Sequence, residues 1–138
     1  MSTEQNKAVS RSFCEAFSNG NLNTATGILA SDVVVHGLPG LPPGREAFIG
    51  VAAMFLAAFP DAKITVEDQI AEGDTVVTRY TFRGTHQGEL QGIEPTGTQV
   101  TFTGITTDQI IGGKIVEHRD IFDQLGMLQQ LGAIPTPG

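Results

Sequence analysis

Cysteine occurs once in the 138 residues, at Cys14. An internal disulfide is therefore excluded, and among apolar helical neighbours Cys14 reads as a small buried filler. Basic residues are scarce: 8 Lys and Arg stand against 15 Asp and Glu, a formal net charge of −7. They are scattered rather than clustered, so the surface repels phosphate backbones and nucleic acid is not an expected partner. Long apolar runs are missing too. The longest lies around Gly50 to Phe59, too short to cross a bilayer, and no membrane partner is expected. Met1 to Arg11 is polar, without the apolar segment and small-residue cleavage site of a secretory leader. Together these features point to the cytoplasm.

Several catalytic signatures are also absent. No Gly-x-Gly-x-x-Gly opens a helix, so the glycines at Gly112-Gly113 and Gly97 read as turns rather than phosphate cradles. No nucleophile elbow accompanies the histidines. His36, His86 and His118 are far apart and lack ligand-type spacing, so no metal site is expected.

What remains suits a globular core: 40% of the residues are hydrophobic and 17% charged. The length allows one domain, residues 1–138, with 1–4 and 134–138 expected to fray. Apolar positions Val9, Phe13, Ala16 and Phe17 predict a helix over Thr3 to Ser18, ended by Gly20. Asn21 caps a second helix from Leu22 to Leu29. Asp32 to His36 is β-branched and predicts a strand; Pro39 to Gly44 predicts a loop. A third helix, Arg45 to Phe59, is apolar nearly all round its second half and should be covered on more than one side. From Ala62 the pattern changes to strands: Ile64 to Ile70, Thr75 to His86, Thr98 to Ile111 and Lys114 to Phe122. A short helix or turn from Leu125 to Leu131 follows.

Helices first and hairpin-linked strands after give an α+β class, with the helices on one face of an antiparallel sheet. The strands carry apolar groups on both faces. A second copy is the simplest cover for the outer face, so a homodimer is expected.

Phe59-Pro60-Asp61, Gly84-Thr85-His86-Gln87-Gly88, Pro95-Thr96-Gly97, Gly113-Lys114-Ile115-Val116-Glu117-His118 and Gln129-Gln130-Leu131-Gly132 occur in that order. From about Phe13 to Gly132 this set resembles the SnoaL-like polyketide cyclases, or ester cyclases. The resemblance implies the cystatin-like open cone shared with nuclear transport factor two, ketosteroid isomerase and limonene epoxide hydrolase. It also implies cofactor-free aldol closure of a polyketide ester, with Asp120 on the family's acid-base position. The chain departs from the family twice: Thr106 stands where characterised cyclases carry a histidine, and Arg119 where the family usually has tryptophan.

Period-two alternation puts Val116, His118, Asp120 and Phe122 on one strand face. Asp120 reads as an acid-base group in an apolar cone, or as the partner of an Arg or His near the strand end. His118 reads as its acid-base partner, a substrate hydrogen-bond donor, or a wall residue satisfied by the protein. Candidate substrate contacts are Tyr80, Phe82, Met54, Phe55, Phe59, Thr106 and Phe122. The buried Tyr80 hydroxyl would need a partner, which a ligand could supply. His36 reads as a mouth residue or a backbone-bonded loop histidine, and His86 as a rim or surface residue. Phe13 and Phe17 read as core. The expected ligand is a small apolar carbonyl compound. The rival readings are a non-catalytic lipophile-binding module, and epoxide hydrolase-like or ketosteroid isomerase-like chemistry on the same cone.

Overall fold

A computed structural model describes residues 2–37 and 40–135. Pro39 in the expected loop, Met1, and residues 136–138 of the expected tail lie outside the described residues. Helix α1 spans Thr3–Ser18 and starts on a capping box: Ser2 Oγ accepts from the Gln5 amide while Gln5 Oε1 accepts from the Ser2 amide. Helix α2 follows at Leu22–Ile28, with the Asn21 side chain accepting from the Thr24 amide. Strand β1 covers Leu29–His36 and helix α3 Arg45–Ala58. Strands β2 (Lys63–Glu72), β3 (Thr75–Thr85), β4 (Gln99–Ile111) and β5 (Lys114–Phe122) precede helix α4, Gln124–Gln130. No helix among the described residues is long and apolar enough to cross a membrane.

The fold is α+β, built on an open five-stranded sheet of order β1-β5-β4-β3-β2. Tight turns join β2 to β3 and β4 to β5, and the loop of residues 86–98 joins β3 to β4, so β2 to β5 are antiparallel neighbours. Strand β1 arrives from the helical half and pairs with β5 in parallel, so the sheet is mixed rather than wholly antiparallel. Helix α1 lies mainly over β2 and reaches across to β5. Beneath the helices, one apolar cluster centres on Phe59, Phe82 and Phe102, and a second on Leu29, Val33, Ile110 and Ile115. Helix α3 buries Phe48, Ala52 and Ala58 and packs against both β1 and α2, so it is covered on more than one side; one stripe stays open, where Met54 is 59% exposed.

Register decides which side chains meet. On the helix side, Tyr80, Gly104 and Phe122 form one row across β3, β4 and β5. The next rows are Thr78, Thr106 and Asp120, then Val76, Asp108 and His118. A bulge between Gln109 and Ile110 then shifts the register of β5. In consequence Ile115 is buried and Val116 only half-buried, so the shared face runs from His118 to Phe122 without Val116.

Candidate active site

Between α1, α3 and the sheet lies a cavity of about 120 Å³. Phe13, Phe17, Phe48 and Phe55 from the helices and Phe82, Phe102 and Phe122 from the strands supply its walls. Its polar lining consists of Ser10, Tyr80, Thr106, Asp108, His118 and Asp120. An apolar chamber with a few convergent polar groups is the usual form of a small-molecule site.

Asp108 and His118 pair across β4 and β5, and His118 Nδ1 sits 2.5 Å from Asp108 Oδ1. The other carboxyl oxygen, Oδ2, accepts from Ser10 Oγ on α1 at 2.8 Å. Both partners of this ion pair are almost fully buried, His118 at 4% and Asp108 at 2% exposure. The imidazole packs beside the stacked rings of Phe48 and Phe13, with centroids at 4.9 and 6.1 Å. Burial by itself would lower the His118 pKa. The hydrogen bond and charge of Asp108, joined by the charge of Asp120, outweigh burial and raise it. Asp108 occupies Nδ1, which leaves Nε2 to meet a ligand.

Asp120 lies beside Thr106 in the register and receives the Tyr80 hydroxyl on Oδ1 at 2.9 Å. Burial raises the Asp120 pKa, and the Asp108 charge adds to that. His118 and the Tyr80 hydrogen bond oppose the rise without cancelling it. Burial, then the Asp120 charge, likewise drives the Tyr80 hydroxyl far up, so it stays a donor. The Cys14 thiol also lines the cavity, but burial pushes its pKa up to about 12, which leaves it inert.

The structure thus brings Asp120, His118, Tyr80, Phe82, Phe55, Thr106 and Phe122 to one cavity. Four predicted contacts lie elsewhere. Met54 projects from the exposed side of α3. Phe59 is fully buried beneath the cavity, edge-on to Phe82 at 5.3 Å. His36 follows cavity-lining Val35 and so turns to the other sheet face, where Nε2 is 3.3 Å from Glu117 Oε2. His86 is neither rim nor surface. It is fully buried, and its Nδ1 accepts from the Thr96 amide, pinning the β3–β4 loop. Conversely, Phe13 and Phe17, read as core, are cavity walls. Tyr80 finds its partner in Asp120 rather than a ligand. Asp108 and Ser10 went unpredicted, although Asp108 shares its strand parity with Val100, Phe102 and Thr106 and Ser10 its helix face with Phe13 and Phe17. Among the described residues no group of three His, Cys, Asp or Glu could hold a metal.

The model of the SnoaL-like polyketide cyclases matches residues 7–131, and the chain belongs to that family. It is 35% identical over 96 residues to the aklanonic acid methyl ester cyclase DnrD of Streptomyces peucetius, covering 68% of this chain and 66% of that protein. With the nogalonic acid methyl ester cyclase of Streptomyces nogalater it shares 33% identity over 94 residues, 67% of this chain and 70% of that one. The matched stretch thus spans 66% of the first relative's length, just under two thirds. Among solved structures, IdmH from Streptomyces antibioticus superposes with a TM-score of 0.81 at 39% identity, over 93% of this chain and 99% of that one. AclR from Streptomyces galilaeus reaches 0.89 at 28% identity, over 99% and 87%.

Proposed function

We propose that this protein is a cofactor-free cyclase that closes a carbon ring by intramolecular aldol addition in an apolar, carbonyl-rich ester of the polyketide type. The observation that carries the reading is the Asp120 carboxyl set in a cavity walled by phenylalanines, its pKa raised by burial. Such a carboxylate removes a proton from a carbon flanked by carbonyls. The enolate carbon then adds to a second carbonyl of the same molecule, and the new alkoxide takes a proton back. His118, held at Nδ1 by Asp108, offers an Nε2–H donor to the oxygen on which negative charge develops. The aromatic walls fold the flexible chain so that its reacting carbons touch. Epoxide hydration by an Asp-Arg-Asp set finds no guanidinium among the described residues that line the cavity: Arg79, for one, is bonded to Asp68 Oδ2 at 2.9 Å on the exposed sheet face.

Aldol closure is an isomerisation, so the product keeps the substrate's mass. Incubated with nogalonic or aklanonic acid methyl ester, the protein should yield a product of unchanged mass and new chromatographic retention. A substrate deuterated at the carbon between the carbonyls should lose one deuteron to ordinary water on closure, because the proton taken back goes to the new hydroxyl oxygen. Binding of either ester without loss of the carbon-bound deuteron and without closure would instead favour the lipophile-binding reading.

The same proposal has the protein acting in the cytoplasm as a homodimer through its outer sheet face. Ile105 and Ile121 support the dimer: they pair across β4 and β5 and are 46% and 78% exposed.

A further inference from the structure

Tyr80 and Asp120 are not neighbours in the sheet. Tyr80 is on β3 and Asp120 on β5, with β4 between them, yet the hydroxyl reaches the carboxyl. The residue opposite Tyr80 on the intervening strand is Gly104. A Cβ built there would lie 2.5 Å from Tyr80 Cζ and 2.8 Å from Cε1, closer than the 3.0 Å that real Cβ atoms respect. The ring therefore rests on the bare backbone of β4, as aromatic side chains do on strand glycines. Tyr80 is only 4% exposed, so it has little room to tilt without leaving Asp120.

We infer that Gly104 is a positioning residue, and that the space of its missing side chain carries the Tyr80 hydroxyl across β4 onto Asp120. The inference rests on the cyclase reading for its catalytic meaning. Tyr80 holds Oδ1, which leaves Oδ2, without a hydrogen-bond partner among the described residues, to exchange a proton with substrate. The hydroxyl also limits how far burial drives the carboxyl toward its neutral form, because it bonds the charged form. The other groups facing this carboxyl are His118 on β5, Asp108 on β4 and Cys14 on α1. The walls from α3 and β1 (Phe48, Ala52, Phe55, Val35) carry no charge.

The test is the carboxyl titration of Asp120 by carbon-13 NMR on the ligand-free protein, assigned with Asp120→Asn. Tyr80→Phe and Gly104→Ala should both move its midpoint to higher pH. Gly104→Ala in a Tyr80→Ala background should move it no further, because no ring remains for the new methyl to displace. An unmoved midpoint in Gly104→Ala, or an equal movement with and without Tyr80, overturns the inference. Should Gly104→Ala fail to fold, an unmoved midpoint in Tyr80→Phe overturns it equally. The titration needs no substrate, so it can succeed while the cyclase assay fails, and the two ideas fall separately.

Discussion

His118 and Asp108 face each other across adjacent strands with 2.5 Å between Nδ1 and Oδ1, and Ser10 from the first helix closes the carboxyl's other side. Sheet register and helix packing thus meet in one buried ion pair. Removing one member of such a pair leaves the other uncompensated.

Asp108→Asn should therefore cost about 3 kcal/mol of folding stability, read by urea denaturation. It should also lower the His118 pKa, because burial then acts against a weaker opposition. Nitrogen-15 NMR of the imidazole reports that change directly. An unmoved imidazole titration would mean that Asp108 does not set its charge.

The pH dependence of stability follows from the same pair. His118 titrates above its ordinary value of 6.5 in the folded protein. Its contribution is fully present below about pH 6.5 and is lost as pH rises through the raised value. Denaturation midpoints should fall over that interval in the wild type, and His118→Gln should remove that part of the slope.

Asp120 has the opposite worth for folding and for chemistry. Its carboxyl titrates above the ordinary 3.8, so ionising it at neutral pH costs stability. Asp120→Asn, a neutral isostere that still accepts from Tyr80, should raise the melting temperature at pH 7. The gain should shrink to nothing as pH falls below about 4, where the native carboxyl is protonated in both states.

Phe59 and Met54 share helix three and its C-cap in the sequence but not their surroundings. Phe59→Ala should destabilise by about 3 to 5 kcal/mol, the usual loss for a fully buried phenylalanine. Met54→Ala should change stability by no more than about 0.5 kcal/mol. Thermal denaturation of the two variants side by side checks both placements.

Local pattern carried much of this. Strand β5 runs over Lys114–Phe122 and helix α1 over Thr3–Ser18, as alternation and helical spacing predict. Parity alone put His118, Asp120 and Phe122 on one face, and the ordered set from Phe59-Pro60-Asp61 to Gln129-Gln130-Leu131-Gly132 carried the resemblance to the cyclases. What stayed hidden depends on partners distant in sequence. Asp108 looks like a surface carboxylate near a Gly-Gly turn until β5 folds back and sets His118 against it. Phe13 and Phe17 have the spacing of core residues, and only the void beside them makes them walls. The Val116 bulge and the parallel pairing of β1 leave no periodic trace. His36 depends on a partner too: the parallel pairing of β1 with β5 sets Val35 beside His118 and His36 beside Arg119, which turns that imidazole away from the cavity.

Ring closure with and without the Asp120 carboxylate is the most direct trial of the whole account. With nogalonic acid methyl ester, wild-type protein should deliver the cyclised isomer. Asp120→Asn should bind the ester equally well by fluorescence titration and release none above the uncatalysed rate. An Asp120→Asn protein that cyclises as fast as wild type contradicts the account.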